Sequence, residues 1–174
     1  MRNIAAVTGG SGMIGSSIVR MLLKEGWQVK ILSRSNHQYP SKNVTLIQSD
    51  LNSLNGLKSL LKEVDAIFHC AAELKDEQKM LPTNVEGTRK LLDISAQTKA
   101  SFFCLISSAG VVSSSDDMTI TEKTNCNPKN TYEKTKYESE LLVKNANLNM
   151  RVCILRPTNV VSVSRPGILM LPII

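Results

Sequence analysis

The chain is poor in aromatic residues: tryptophan, tyrosine and phenylalanine make up 4% of its 174 residues, with a single tryptophan. It also lacks a dense basic cluster, although lysine and arginine exceed aspartate and glutamate to give a net charge of +6. Without stacking rings or a concentrated basic patch, a nucleic-acid surface is not expected. The spread excess of positive charge suits a small anionic ligand such as a nucleotide. No C-x-x-C pair occurs, and Cys70, Cys104, Cys126 and Cys153 lie far apart, three of them in apolar runs. That pattern points to reduced core thiols of a cytoplasmic protein, and away from a disulfide framework or a metal site. No apolar run is long enough to span a membrane, and Met1–Val7 runs directly into a strand pattern with no secretory leader. No repeat, linker or low-complexity segment divides the chain, so residues 1–174 read as one domain around one core.

What the sequence does contain is an alternation of short β-rich runs with longer amphipathic ones. Strands are expected at Ile4–Thr8, Val29–Ser33, Val44–Gln48, Ala66–Cys70, Phe102–Ser107 and Val152–Arg156. Helices are expected near Met13–Glu25, Leu54–Lys62, Thr83–Thr98 and Thr131–Asn145. Strands alternating with helices imply βαβ units, and hence an α/β fold: a doubly wound parallel sheet of Rossmann type with helices on both faces. The polar stretch Ser113–Asn130 reads as a long loop before the last helix.

Gly9, Gly10, Gly12 and Gly15 crowd the junction of the first strand and the first helix. Glycine weakens both element types, so the cluster needs a reason. Gly10-Ser11-Gly12-Met13-Ile14-Gly15 fits G-x-G-x-x-G in the strand–turn–helix setting where a doubly wound sheet binds a dinucleotide. Bare backbone lets the turn approach a pyrophosphate, and the helix N-terminus offers N–H groups and partial positive charge. Gly9, Ser11, Gly12, Met13, Ile14 and Gly15 are therefore candidate cofactor-binding residues.

The segment "TGGSGMIG" resembles the Thr-Gly-x-x-Gly-x-x-Gly fingerprint of short-chain dehydrogenases/reductases, and "TYEKTK" contains the Tyr-x-x-x-Lys pair of that superfamily. The resemblance is closest to the extended branch, the NAD-dependent epimerase/dehydratase family. "SDL" at 49–51, "IFHCAAE" at 67–73, "NVEGTRKLL" at 84–92, "LISSAGVV" at 105–112 and "ILRPTNVV" at 154–161 are similar to further motifs of that branch, in order along the chain. The resemblance implies that Asp50 and Leu51 lie by the adenine, and that Cys70, Ala71, Ala72 and Pro157 also line the cofactor. It also implies a C-terminal lobe over the substrate. The chain stops at "SRPGILMLPII", just past the sixth strand, so the domain is expected to be truncated relative to extended family members. The apolar tail Ile168–Ile174 needs burial within the fold or across an interface, which leaves a homodimer open.

Tyr132 and Lys136 are four residues apart in a helical pattern and share a face. An ammonium beside a phenol favours phenolate, so Lys136 is expected to lower the pKa of Tyr132 and make it an acid/base at a secondary alcohol or ketone. The resemblance adds a grip of Lys136 on the nicotinamide ribose. It makes Ser108 the third member of the catalytic set, with Ser107 as the close alternative. Asn84 is expected to bond backbone in a kinked helix, and His69 to be a hydrogen-bonded core or near-cofactor residue. The second strand ends in Ser33-Arg34-Ser35 where an acid would grip an NAD ribose. Ser33 and Arg34 therefore suit a 2′-phosphate: NADP is preferred, with NAD the alternative, and Lys42 adds charge nearby.

These features imply an NAD(P)-dependent oxidoreductase that transfers a hydride at a secondary alcohol or ketone of a small-molecule substrate. Ala109-Gly110 follow Ser108 where dehydratases of the family carry two acids, and Val112-Ser113 stand where many members have Tyr-Gly. A dehydratase is thereby disfavoured. A nucleotide-sugar epimerase is the second reading, and an NAD(P)-binding regulatory or assembly module without turnover is the third.

Overall fold

The computed structural model describes residues 3–36, 39–112 and 119–161. Parts of the Ser113–Asn130 loop, His37 and the tail Ile168–Ile174 lie outside the described residues. Six strands, β1 (Ile4–Thr8), β2 (Gln28–Ser33), β3 (Val44–Gln48), β4 (Ala66–His69), β5 (Phe102–Ile106) and β6 (Arg151–Leu155), form one sheet of order β3-β2-β1-β4-β5-β6. Every neighbouring pair is parallel. This is the doubly wound topology expected, and each strand lies within a residue or so of its sequence position.

The central strands read as unbroken apolar runs because both faces are covered. Ala5, Ala6 and Val7 of β1 have no exposed surface. On one face, α1 (Met13–Lys24) packs Val19 and its neighbours against Val7, Val29 and Ile31. On the other, α2 (Leu54–Leu61) and the two later helices bury Leu57, Leu60, Leu91 and Val143 with Ile67, Phe103 and Leu105.

The helix expected over Thr83–Thr98 is built differently. The helical run begins as α3 (Glu77–Met80), capped by Asp76, passes through a π-helical turn at Leu81–Glu86, and continues as α4 (Gly87–Ser95). Pro82 stands at the start of the wide turn and has no N–H for the usual helical bond, and the Gly87 N–H reaches back five residues to the Pro82 carbonyl. The last helix, α5 (Thr131–Asn145), has the span expected. Its start is set by a capping box: Asn130 Oδ1 accepts from the Glu133 N–H at 2.9 Å while the Glu133 carboxylate accepts from the Asn130 N–H.

Two glycines differ instructively. A Cβ on Gly15 would lie 2.8 Å from the Gly9 carbonyl carbon, and closer still to its oxygen, so α1 could not pack on the turn. Gly26 has open space around it but a φ of +78°, where Trp27 donates back to Leu22 and ends α1. Gly15→Ala should cost about 2–3 kcal/mol in urea unfolding, as a forced displacement of packed backbone. Gly26→Ala should cost about 1 kcal/mol, the left-handed penalty alone. A smaller loss at Gly15 than at Gly26 would contradict the close approach of turn and helix.

Candidate functional site

The strand order reverses between β1 and β4, leaving a crevice at their C-terminal ends, where Thr8 pairs in register with Leu32 on one side and His69 on the other. The glycine turn fills the floor of this crevice. Gly9 has a φ of +66°, and a Cβ there would sit 2.7 Å from the Ala71 nitrogen, so the turn lies directly against the backbone that leaves β4. Gly12, at the N-cap of α1, donates to the Gly9 carbonyl at 2.9 Å. A Cβ on Gly12 would meet only that oxygen, at 3.1 Å, so its other side opens to the crevice. Neither a capping side chain nor a carboxylate occupies the first turn of α1, and Ser16 and Ser17 both turn back to the Met13 carbonyl. The positive end of the helix, with Met13 and Ile14 in its first turn, thus faces the crevice, and the residues present fit a pyrophosphate there.

One flank of the crevice is made by the ends of β2 and β3. Ser33 Oγ donates to the Ser35 carbonyl at 2.8 Å, a local turn that leaves Arg34 exposed at its tip. Asp50 is exposed and accepts from the Asn52 N–H, whereas Leu51 is buried beneath Gly87. The Glu73 carboxyl is held below its usual range, mainly by the backbone N–H groups of Lys75 and Asp76, with a smaller contribution from the Arg34 guanidinium. Arg34 therefore lies within electrostatic reach of the segment that follows β4 and carries Cys70, Ala71 and Ala72. Lys42 is exposed before β3.

The other flank joins α5 to the ends of β5 and β6. Lys136 is 2% exposed, and its Nζ donates to the Ile106 carbonyl at 2.7 Å. Burial brings its pKa down to about 8. Tyr132, one turn earlier, is half-buried, and burial raises its phenol above the ordinary value. The shift runs opposite to the lowering expected from Lys136, and its cause is burial. Ser108 is half-buried and its Oγ accepts from the Gly110 N–H at 3.1 Å. A Cβ on Gly110 would come 3.3 Å from Ser108 Oγ and 3.0 Å from Glu133 Cγ, so Ser108 lies beside the first turn of α5. Pro157 accepts from the Ala109 N–H at 2.9 Å on the same rim.

Ser107 is engaged elsewhere. Its Oγ donates to Glu140 Oε1 at 2.6 Å inside the protein. The same carboxylate receives Arg156 Nε at 2.8 Å and Arg156 Nη2 at 2.6 Å, with Lys144 at 3.7 Å. Glu140 and Arg156 were not singled out from the sequence, yet they bind the segment carrying Ser108 to the helix carrying Tyr132. The available signal was spacing: Tyr132, Lys136 and Glu140 repeat every four residues and so share one face. His69 is buried, and desolvation, with Lys136 adding to it, brings its pKa down to about 3, so the ring is neutral. Asn84 is also buried and does bond backbone, namely the N–H and carbonyl of Glu73, from within the π-helical turn. All four cysteines are free thiols, with only Cys104 fully buried. Among the described residues no group of His, Cys, Asp and Glu could hold a metal ion, and no helix is long and apolar enough to cross a membrane.

Residues 5–169 match the model of the NAD dependent epimerase/dehydratase family. The chain belongs to that family. It is 34% identical over 128 residues to a decarboxylating sterol-4-alpha-carboxylate 3-dehydrogenase of Dictyostelium discoideum, a match covering 68% of this chain and 39% of the relative. It is 29% identical over 174 residues to a UDP-glucose 4-epimerase of Lactobacillus helveticus, covering 92% of this chain and 53% of the relative. A short-chain dehydrogenase/reductase superfamily protein of Agrobacterium tumefaciens, solved with bound NAD, superposes with a TM-score of 0.80 at 26% identity, covering 88% of this chain and 48% of that one. The chain thus spans about half the length of such relatives. Family members include NAD-dependent dehydrogenases and epimerases, and this chain shares their Rossmann-type fold.

The buried Lys136 has a measurable signature. The folded protein releases its proton near pH 8, whereas the unfolded chain holds it to about 10.5, so stability rises with pH across that interval. The raised thiols Cys70 and Cys104 act in the opposite sense from about pH 8 upward, so the Lys136 contribution is read as the difference between the parent and Lys136→Met. Relative to Lys136→Met, the parent should gain about 1 kcal/mol in urea unfolding between pH 8 and pH 9. An equal slope in the two proteins would show that Lys136 does not contribute in this way.

Proposed function

We propose that this chain is an NAD(P)-dependent oxidoreductase domain that reduces a ketone, or oxidises a secondary alcohol, on a small-molecule substrate. The observation that supports the reading is a glycine-rich turn and a helix N-terminus without an opposing carboxylate at the switch point of the sheet, with Ser108 beside the first turn of the helix that carries Tyr132 and Lys136. Gly9, Ser11, Gly12, Met13, Ile14 and Gly15 would hold the pyrophosphate. Asp50 and Leu51 would flank the adenine, and Cys70, Ala71, Ala72 and Pro157 would line the remainder. The nicotinamide, when bound, supplies or accepts the hydride.

The chain's own residues handle the oxygen and its proton. With its phenol above the ordinary tyrosine range, Tyr132 keeps its proton at neutral pH and can donate it to a ketone oxygen as negative charge develops there. The Ser108 hydroxyl orients that oxygen. Lys136 holds the ribose and keeps a cation one turn from Tyr132. Ser107 is not assigned this part, because its hydroxyl is committed to Glu140. Similarity to a UDP-glucose 4-epimerase favours nucleotide-sugar epimerisation as a second reading.

Cofactor choice rests on Arg34, exposed at the end of β2 with Ser33 and Ser35 around it. A charge-assisted contact to a 2′-phosphate contributes about 1.5–3 kcal/mol, so NADP should bind roughly tens-fold more tightly than NAD. Calorimetry should show most of this preference gone in Arg34→Ala. Equal affinities in the unaltered protein would refute the NADP assignment and leave NAD.

Tyr132→Phe removes only a hydroxyl. It should abolish turnover, by about a hundredfold or more, and leave dinucleotide affinity within about twofold. The assay is nicotinamide absorbance against a panel of ketones, secondary alcohols and nucleotide sugars. Sugar interconversion without net absorbance change would favour the epimerase, and binding with no turnover on any substrate would favour a regulatory module. Full activity in Tyr132→Phe would sink the mechanism.

A further inference from the structure

A buried line of hydrogen bonds runs beneath the crevice, and the donor inventory of its members fixes the direction of every proton in it. The Thr88 hydroxyl donates to the Asn84 carbonyl. Having one proton, it can only accept from His69 Nε2, 2.8 Å away, so that nitrogen bears hydrogen. The ring is neutral, so Nδ1 is an acceptor, and Thr8 Oγ1 at 2.7 Å must donate to it. Thr8 Oγ1 in turn accepts from the Ala71 N–H at 3.2 Å. The relay therefore reads Ala71 N–H to Thr8 to His69 to Thr88 to the Asn84 carbonyl, with one tautomer permitted. The opposite tautomer would set two donors against one another at Thr88. An imidazolium would leave the Thr8 proton without its acceptor in a site that has no exposed surface.

The two ends of the relay belong to the two halves of the candidate site. At one end, Thr8 precedes Gly9, and Ala71 is the residue whose backbone Gly9 touches. At the other, Asn84 Nδ2 donates to Thr135 Oγ1 of α5 at 3.0 Å, and Ser139 Oγ, also on α5, lies 2.7 Å from both the Asn84 and the Thr135 carbonyls, which share its one proton. Thr8, His69, Thr88, Asn84, Thr135 and Ser139 are all between 0% and 4% exposed. These polar side chains form a continuous line through the core, and among the described residues no buried side-chain nitrogen or oxygen is without a hydrogen-bond partner.

We propose that His69, as the neutral Nε2–H tautomer, is a positioning residue that keeps the glycine turn and Ala71 in register with the helix bearing Tyr132 and Lys136, so that breaking the relay away from the crevice weakens dinucleotide binding. The inference rests on the dinucleotide-binding reading above. It assigns His69 no proton transfer and no contact with substrate.

The test uses the unaltered protein and three variants. Nitrogen-15 NMR of the imidazole should show a neutral ring with hydrogen on Nε2 from pH 6 to pH 8. Thr88→Val removes the relay hydroxyl at nearly constant volume, on α4 rather than in the crevice. At a temperature where each variant is fully folded by circular dichroism, its NAD and NADP dissociation constants should rise by about fivefold or more. Thr88→Ser restores the hydroxyl and should return affinity to within about twofold of the parent, while His69→Gln should fall with Thr88→Val. Unchanged affinity in a folded Thr88→Val or His69→Gln protein overturns the inference. So does an Nδ1–H tautomer or an imidazolium in the NMR spectrum, a result that needs no variant to fold. If the unaltered protein binds neither NAD nor NADP, the functional reading itself fails and this inference with it. Loss of affinity only in the variants, or its absence there alone, tells the two apart.

Discussion

The backbone of Gly9 rests on the backbone of Ala71, and Gly15 rests on Gly9, with no room for a side chain at either contact. This steric requirement organises the rest of the site. It draws the end of β1 against the residue that leaves β4, at the one place where the sheet order reverses. It also brings the N-terminus of α1 down onto the turn, so that the helix's positive end looks into the crevice. Gly12 completes the arrangement by contrast: a side chain there would meet almost nothing of the protein, and its space belongs to whatever enters the crevice.

The opposite wall follows a different logic. The inward face of α5 presents Thr135, Lys136, Ser139 and Glu140, all buried. Burial of such groups is unfavourable unless each finds a partner of the right kind. Here each does: Lys136 the Ile106 carbonyl, Glu140 the guanidinium of Arg156 and the hydroxyl of Ser107, Ser139 and Thr135 the groups of Asn84. Because these bonds are directional, they set the rotation and height of α5 against the sheet more narrowly than apolar packing would. Tyr132 and Lys136 inherit that placement. The π-helical turn at Leu81–Glu86 belongs to the same scheme, since it places Asn84 where it can bond Glu73 and α5 at once.

The chain belongs to the NAD dependent epimerase/dehydratase family. Relatives about twice as long include a dehydrogenase and an epimerase.

Much of this was readable from the amino-acid order alone. Strand and helix positions follow from local periodicity and from caps such as Asn130 with Glu133, which act within a few residues of themselves. The glycine turn is equally local, since its spacing reports a backbone that must bend and be approached closely. Tyr132 and Lys136 share a face by helical geometry. The tertiary structure decided what depends on distant partners. Motif register alone favoured Ser108 over its neighbour Ser107, and the position of Glu140, across the β5–α5 contact, is what commits Ser107 elsewhere. Lys136 was expected to lower the pKa of Tyr132, yet burial raises it, and the Lys136 ammonium donates to the Ile106 carbonyl, thirty residues away. His69 could have been an ordinary core residue until Thr8 and Thr88 were brought to its two nitrogens. Periodicity encodes which face a side chain takes, but a hydrogen bond's partner and direction exist only once the sheet and helices have assembled around it.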